Sequence, residues 1–500
     1  FNEGTELFSK GDLFYSRRIG AQPLHYYSVQ ESMEAGEQIL KNPREAKLIN
    51  ATKISGRTKK GLGVGLFNAV TKNMYAEIEN ELSEKRYIQT TPLTNYNIIV
   101  FDQTLKNNSS ISFINTNTFR GGNDYDANVS AALFDMNNKK NSYNWSGKVA
   151  VSHLTEVNGV ASTGYSHQAG FRKSSGLFLF QLSQELTDDQ YNINDMGIQF
   201  NNNFLDHYAW LGYRWLKPKG IYNRVQINYN NTYSRRFQPG DYQFYNTNIN
   251  ANMQFKNLWF AGAFIGYNAE GNDFYEPRTA GSVYRTPSSW RYNVWVESNE
   301  AKKYFVGSYF FTALPDMFNG RIYEYMVSQR YRFNDRFSIS HSIMREPRIN
   351  DAGFYKKSGN DILFSRRDRL TVENVLGLKY SFNNKSGITF RARHYWSKVN
   401  PKELFALQQD GSLQPYNYNG EDIDYNNINF FNIDAVYTLQ FAPGSFLHIV
   451  WKNSIFTSDE EFSSRYFRNA DRTIAAPQNN NLSIKLLYFL DYLDMRKWWR

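Results

Sequence analysis

The chain has 500 residues, of which 17% are aromatic and none is cysteine, yet its mean hydropathy is −0.62. This aromatic content excludes intrinsic disorder, and the lack of thiols excludes disulfides, thiolate catalysis and thiolate metal sites. The net charge is +10, but lysine and arginine are scattered along the chain and form no patch of the kind that binds nucleic acid. No apolar run is long enough for a transmembrane helix.

Alternation of apolar and polar residues is the main pattern, and it has the period of a β-strand. Between Tyr245 and Phe255, every second residue is asparagine or glutamine. A soluble sandwich also alternates. Here charged and amide groups occur in mid-strand on the polar face, and aromatic residues often begin or end the apolar face, which favours a membrane-spanning barrel. Lipid offers no hydrogen-bond partner to an open edge, so such a sheet must close.

The alternation predicts 21 strands joined by connections of alternating length. In chain order they are Ala46–Ser55, Leu62–Thr71, Asn95–Thr104, Ser110–Phe119, Ala127–Asp135, Trp145–His153, Ser162–Phe171, Leu177–Glu185, Phe204–Trp215, Tyr222–Tyr233, Tyr245–Phe255, Trp259–Tyr267, Trp290–Glu297, Phe305–Thr312, Arg321–Phe333, Phe337–Met344, Leu370–Phe382, Ile388–Trp396, Phe430–Phe441, Leu447–Phe456 and Leu482–Leu493. Short turns such as Asn383–Gly387 alternate with long loops such as Lys72–Thr94, Arg345–Arg369 and Ser397–Asn429, as in bacterial outer-membrane barrels.

One further strand must precede Ala46 if the number is even, and Asp12–Gly20 is predicted to supply it. The fold class is therefore all-β, an antiparallel transmembrane β-barrel of about 22 strands, within a range of about 20 to 24. Residues 24–42 are predicted to form a short helix in the first outer loop, which we expect to fold into the pore. Phe1–Gly11 is too short to be the plug of a TonB-dependent transporter, although a barrel this wide needs a filling.

The predicted organisation has three parts. Residues 1–11 are a periplasmic lead-in from an N-terminal domain absent from this sequence, 12–494 are the barrel, and 495–500 are a periplasmic C-terminal tail. The sequence starts at Phe1 without methionine or a signal peptide, so we expect a mature or trimmed product.

Two groups of residues are candidates for ligand contact. The residues predicted to line the lumen are Arg224, Arg321, Glu324, Arg330, Arg332, Arg391, Arg393 and Asp434. These arginines form either a path for an anionic solute or a charge network with Glu297, Glu324 and Asp434 that stiffens the wall. In the loops, Tyr416 and Tyr418 are candidates for stacking on sugar rings, with ordinary loop packing as the alternative.

Catalytic and metal-binding patterns are weak, and we expect no enzyme and no cofactor. His341 and Ser342 are adjacent on a strand, so their side chains point to opposite faces and cannot form a dyad. Acidic loop clusters could hold a calcium ion, although none has an EF-hand spacing. They are Asp188-Asp189, Glu421-Asp422 with Asp424, and Asp459-Glu460-Glu461. Gly61-Leu62-Gly63-Val64-Gly65 lacks a following helix and is predicted to be a strand instead of a phosphate loop.

Several segments resemble the C-terminal barrel of an outer-membrane family from Bacteroidetes-type bacteria, domain of unknown function family 5916. They are Leu13–Gly20, Ala51–Thr58, Gly63–Thr71 and Phe441–Phe446, and the resemblance extends over essentially the whole chain. It implies a longer precursor whose N-terminal domain is similar to a family-9 carbohydrate-binding module. The family has no settled activity, so the resemblance transfers no catalytic residues.

These observations lead to a function hypothesis with two alternatives. The first reading is a porin-like channel or uptake component in the outer membrane of a Gram-negative bacterium, with glycans as candidate solutes. The second is a non-conducting barrel subunit of a larger secretion, barrel-insertion or nutrient-uptake complex, and a membrane-embedded hydrolase is a third. The expected partners are outer-membrane lipid, lipopolysaccharide and other proteins of a membrane complex, but not nucleic acid.

Overall fold

The computed structural model describes residues 7–156, 159–417, 425–459 and 465–489. The fold is all-β, with 65% of residues in strands and 4% in helices, and it contains a large antiparallel sheet of 22 strands. Within the described ranges, no helix combines the length and the apolar character that crossing a membrane requires.

The N-terminal region begins with two short 3-10 turns, Lys10–Asp12 and Ser16–Arg18, and helix α1 (Ser28–Glu31). The strands that follow are β1 (Gln38–Lys41), β2 (Leu48–Arg57), β3 (Leu62–Thr71), β4 (Met74–Glu79), β5 (Lys85–Thr91), β6 (Thr94–Leu105), β7 (Ser109–Arg120), β8 (Asp126–Asn137), β9 (Tyr143–Thr155), β10 (Ala161–Lys173), β11 (Phe178–Thr187), β12 (Phe204–Trp215), β13 (Tyr222–Arg235) and β14 (Tyr242–Phe255).

The second half continues with strands and one longer helix. They are β15 (Phe260–Asn268), β16 (Gly271–Asp273), β17 (Tyr284–Thr286), β18 (Ser289–Glu297), β19 (Tyr304–Pro315), β20 (Arg321–Arg332), β21 (Phe337–Ser358), β22 (Asp361–Ser381), β23 (Ser386–Leu407), β24 (Leu413–Pro415), β25 (Asn426–Ala442), β26 (Ser445–Asp459), α2 (Tyr466–Ala475) and β27 (Asn479–Leu487). Each of the 21 predicted strands overlaps one of these strands.

The chain divides into two compact units, and unit 1 comprises Phe1–Gly212 and Asn230–Gln243. Its strands pair antiparallel in the order β2-β3-β6-β7-β8-β9-β10-β11. A separate small sheet, β1-β4-β5, takes β4 and β5 from the predicted loop Lys72–Thr94 and β1 from the segment that precedes β2. Val29 of α1 packs on Ala76 and Ile78 of this sheet. Of the helix predicted from residues 24–42, only Ser28–Glu31 is helical, and Gln38–Lys41 of the same segment is strand β1.

The prediction of a strand at Asp12–Gly20 is wrong. Leu13 is 1% exposed in the main core of unit 1, and the backbone N–H of Tyr15 donates to the carbonyl of Met196 at 2.7 Å instead of to a strand. Arg18 also binds this loop, donating from Nε to the carbonyl of Gly197 at 2.8 Å. Contacts with the core, and not pairing with the sheet, therefore determine the conformation of this segment. The sheet reaches 22 strands through the short β24, which was not predicted.

Residues Leu7–Ile19 and the loop around Tyr191–Met196 cover one face of the unit 1 sheet. Phe8, Leu13 and Met196 pack there against Phe67, Ile98 and other buried residues of β3 to β9. Two glycines of β3 leave space for the side chains of the N-terminal segment. A Cβ at Gly63 would lie 2.8 Å from Leu7, and a Cβ at Gly65 would lie 3.0 Å from the Phe8 ring. The glycine-rich segment is thus a strand, as predicted, and its glycines accommodate the N-terminal segment.

Unit 2 comprises Tyr213–Tyr229 and Phe244–Arg500. Its antiparallel order is β14-β15-β18-β19-β20-β21-β22-β23-β25-β26-β27, with β24 paired to the end of β23 and β16 paired to β17. The sheet is not closed: among the described residues β2 pairs only with β3, and β27 only with β26.

The prediction of long loops at Arg345–Arg369 and after Ser397 is also wrong. Strands β21 and β22 continue through the first of these two predicted loops, and they pair with each other from Phe337↔Tyr380 to Ser358↔Asp361. Strand β23 continues through the start of the second, to Leu407. The register shifts at Arg348/Asp351 and Phe354/Lys356. Such bulges break the two-residue period, so alternation could not reveal the continuation.

Candidate functional site: a polar face of the sheet

One face of the unit 2 sheet carries most of its charged and amide side chains, with aromatic and glycine residues of β15 and β19 among them. Residues directly opposite each other in a ladder share a face, so the register can be followed from strand to strand. Arg330 on β20 pairs with Ser340, and then Gly377, Arg391, Asp434, Lys452 and Asn481 follow in one row. Glu324 lies on the same side of β20 and connects through Phe311, Asn293 and Phe264 to Asn250 on β14. We call this surface the polar face.

Seven of the eight predicted lumen residues lie on the polar face. They are Arg224, Glu324, Arg330, Arg332, Arg391, Arg393 and Asp434. Arg224 is placed there by Asn228, four residues along the same strand, which donates to Asn250 at 2.8 Å. Arg321 does not join them. It pairs with Ile349 and shares the opposite face with Tyr323, because it is an odd number of positions from Glu324.

The charged groups of the polar face are paired in part. Arg393 donates from Nε and Nη2 to Glu373 at 2.9 and 2.5 Å, and Glu324 accepts a hydrogen bond from the Tyr309 hydroxyl. Arg330 donates to the carbonyl of Glu300 at 2.8 Å and covers the Phe305 ring. Arg391 lies directly opposite Asp434, which lies opposite Lys452. Glu373 and Lys452 were not among the residues predicted from the sequence, although the alternation within their strands also places them on this face.

Amide side chains form a second part of the polar face. Gln226 donates to Asn228 at 2.7 Å, Asn228 to Asn250 at 2.8 Å, and Asn250 to Asn248 at 3.2 Å. Each amide offers both a donor and an acceptor. This amide ladder therefore places both hydrogen-bond donors and acceptors on the polar face.

The opposite face of the unit 2 sheet is apolar and exposed, and we call it the apolar face. Its side chains include Ile249, Val294, Tyr325, Ile343 and Leu482. Val294 is 53% exposed and Leu482 71%. Contiguous exposed apolar surface of this kind marks contact with a membrane or a partner.

In unit 1 the sheet face beneath the N-terminal segment holds ionic contacts. Asp102 is buried, binds Arg57 Nη2 at 2.5 Å and Lys10 Nζ at 3.3 Å, and accepts from the Ser112 hydroxyl at 2.6 Å. These contacts join the N-terminal segment to β2, β6 and β7.

A second buried cluster fixes the loop after β11. Arg120 pairs with Asp195, and the Tyr125 hydroxyl donates to Asp195 at 3.0 Å. Burial, followed by the Asp195 carboxylate, raises the pKa of Tyr125 to about 12. The hydroxyl therefore stays protonated and remains a donor.

The remaining loop candidates give no assembled site. Tyr416 follows β24 and its backbone N–H donates to the carbonyl of Leu404 at 2.9 Å, while Tyr418 lies outside the described residues. Asp188 accepts backbone hydrogen bonds from Tyr165, Gln190 and Tyr191 at 2.7 to 3.0 Å, so its oxygens fold the loop. Glu421, Asp422, Asp424, Glu460 and Glu461 lie outside the described residues, as does the predicted tail 495–500.

Histidines and acids do not converge on a metal or catalytic site in the described part of the chain. It contains no group of three or more such side chains with metal-binding geometry. His167 Nε2 lies 3.2 Å from Gln184 Oε1, and Gln184 Nε2 lies 3.0 Å from His207 Nε2. His341 and Ser342 are on opposite faces of β21, as predicted.

These features define the class: an all-β protein built on a large antiparallel sheet, with a polar and an apolar face in unit 2. The chain belongs to the family described as Domain of unknown function (DUF5916), whose model matches residues 1–499. The resemblance noted in the sequence is thereby confirmed. A search of the curated proteins found no match to the chain.

Proposed function

We propose that this protein is a transmembrane β-barrel of a Gram-negative outer membrane that acts as a channel or uptake component. The observation that carries the proposal is the division of the unit 2 sheet into a polar and an exposed apolar face. In a bilayer the apolar face contacts lipid and lipopolysaccharide, and the polar face lines a lumen that water can fill. The proposal involves no catalytic residue.

The polar face suggests which solutes the lumen would accept. Arginines such as Arg391 and Arg332 attract anions, while the amide ladder suits hydroxyl groups, so an acidic or neutral glycan is the proposed solute class. The test is conductance in planar bilayers with Arg391→Glu. We expect this variant to lower anion-over-cation selectivity, because charged rings set selectivity in pores. Arg321→Glu is the matched control, since Arg321 lies on the other face. Equal effects of the two variants would refute a lumen at the polar face.

The proposal also requires that the end strands β2 and β27 pair, because an open edge in lipid leaves backbone groups without partners. The chain has no cysteine, so any disulfide that forms within it must join the two introduced cysteines. We expect Ile54→Cys to form a disulfide with a cysteine placed at 482, 484 or 486. The pair Ile54→Cys and Leu66→Cys is the positive control, because these residues are neighbours in the β2–β3 ladder. Cross-linking of the control pair only would exclude closure through these strands.

A second candidate is a non-conducting subunit of a larger outer-membrane complex. It is favoured by the N-terminal segment of unit 1, which covers a face of the sheet that a channel would leave open. Purification from native membranes distinguishes the two candidates. Stoichiometric protein partners together with no bilayer conductance favour the subunit, whereas conductance of the isolated chain favours the channel. A chain that stays monomeric in water without detergent would contradict both.

A further inference from the structure

Helix α2 is packed on the sheet with its polar residues inward. Asn469 and Thr473 are 2% and 1% exposed, whereas Phe467 is 79% exposed and Ile474 is 47% exposed. A helix on the surface of a water-soluble protein has the reverse arrangement, with an apolar stripe facing the core. The exposed side of α2 therefore carries Phe467 and Ile474 beside the charged residues Arg468, Asp471 and Arg472.

The inward side of α2 is held by specific hydrogen bonds. The Tyr466 hydroxyl accepts from Asn374 Nδ2 at 2.7 Å and lies 2.8 Å from His394 Nδ1. Asn469 bonds with Asn429 and accepts from Asn427. This polar contact surface fixes which side of the helix faces outward.

The position of α2 on the sheet is informative. Asn374 and His394 are opposite each other in one row of the apolar face. The next rows toward the β22–β23 turn are Leu376 with Ala392 and Ile433, and then Leu378 with Phe390 and Ala435. The helix therefore covers amide and imidazole side chains of the apolar face, in a row that Ile343, Phe431 and Ile455 continue on the neighbouring strands. In a membrane barrel, polar and aromatic side chains on the outer face are typical of the level of the lipid head groups.

The exposed side of α2 carries both apolar and positively charged side chains, the two kinds of group that contact with lipid head groups requires. Phe467 and Ile474 are seven residues apart, about two helical turns, so they project from the same flank. Arg468 and Arg472 are also exposed, and they supply positive charge for lipid phosphates. Asp471 is exposed between Phe467 and Ile474 on this flank. Apolar side chains beside basic ones suit the boundary between head groups and acyl chains.

We propose that α2 is an interfacial helix that binds the surface of the bilayer. Phe467 and Ile474 enter the head-group and upper acyl region, and the arginines contact lipid phosphates. This inference rests on the proposed membrane barrel and adds to it the lipid-binding element and the level of the membrane surface.

The cysteine-free chain allows a direct test by fluorescence. Phe467→Cys and Ile474→Cys are labelled with the environment-sensitive dye NBD in vesicles of phosphatidylcholine and phosphatidylglycerol. Gln409→Cys, exposed in the turn between β23 and β24 and away from α2, is the control. We expect a blue-shifted emission at 467 and 474. We also expect quenching by shallow spin-labelled lipid that exceeds the quenching at 409 severalfold.

The outcomes separate this inference from the proposed function. Equal quenching at 467 and 409 in protein that has inserted into vesicles overturns the inference and leaves the barrel intact. A blue shift at 467 without lipid quenching overturns it in favour of a protein partner on α2. Failure of the chain to insert into vesicles at all would contradict the proposed function itself.

Discussion

Arg120 and Asp195 form an ion pair whose side chains are only 7% and 8% exposed. Removing one member of a buried pair leaves the other charge without compensation, which costs about 3–5 kcal/mol. We therefore expect Asp195→Asn to lower the free energy of unfolding by roughly that amount, measured by urea unfolding in detergent micelles. The variant should also permit chymotrypsin to cleave after the buried Tyr191 in the neighbouring loop.

The matched control for this pair is Asp241→Asn in the same unit. Asp241 lies 3.9 Å from Arg236, with side chains that are 50% and 28% exposed. Exposed pairs contribute about 0–1 kcal/mol. If the two substitutions cost the same, the buried cluster does not fix the loop after β11.

The second prediction at this scale concerns pH and Glu37. The Glu37 carboxylate accepts two hydrogen bonds from Arg86 at 2.6 Å and one from the backbone N–H of Glu34 at 2.7 Å. The Arg86 bonds, followed by the Glu34 bond, lower the pKa of Glu37 from 4.5 to about 2. A depressed folded-state pKa contributes stability that is present above the unfolded value and is lost as pH falls through the folded value.

We therefore expect the segment between α1 and the end of β1 to lose protection as pH falls from 4.5 toward 2. The measurement is hydrogen exchange of residues 32–41, corrected for the intrinsic pH dependence of the exchange rate. Glu37→Gln removes the titrating group, so its protection should be low at both ends of this window. An identical pH profile in the two proteins would show that Glu37 does not hold the segment.

At the scale of elements, the alternation was sufficient to locate strands because each strand has one apolar and one polar face. It failed where a second constraint acted on the backbone. Bulges hid the outer parts of β21 and β22, and the contact of Leu13 with the core turned an apparently alternating segment into 3-10 turns. Arg321 was assigned to the lumen by residue type, although counting positions from Glu324 would have excluded it.

The candidate site was predictable to the same extent. The sequence placed seven arginine and acidic residues on one face of the sheet, where the structure also has them, because a face depends only on parity within a strand. It could not assign their partners, since Arg393 and Glu373 meet across a ladder whose register depends on turn geometry. Likewise, α2 lies in a connection where no two-residue period exists to be detected.

The N-terminal segment yields an element-scale prediction. A Cβ at Gly65 would lie 3.0 Å from the Phe8 ring, and valine adds two methyl groups beyond it, so we expect Gly65→Val to displace Leu7–Ile19 from the sheet at a cost of about 1–3 kcal/mol. The measurement is unfolding in urea, together with the appearance of chymotrypsin cleavage after Phe8. Gly56→Val on β2 is the matched control, because nothing lies within 4 Å of a Cβ there. Equal behaviour of the two variants would contradict the assigned packing.

At the scale of the whole molecule, the two candidate functions assign different roles to the N-terminal segment that covers one face of the unit 1 sheet. The segment Leu7–Ile19 is fixed there by apolar contacts and by the Lys10–Asp102 pair. For a channel, this segment is a barrier that must move. For a subunit of a complex, it is a permanent filling that makes conductance unnecessary.

The displaced segment of Gly65→Val distinguishes these two meanings. If the segment is a barrier, the variant should conduct more than the wild type and the Gly56→Val control in planar bilayers, because water and ions then reach the uncovered face. The comparison is valid only for protein in which cleavage after Phe8 confirms displacement. A displaced segment without any gain in conductance would show that the segment is not the barrier, and the non-conducting subunit would then be the better description of this chain.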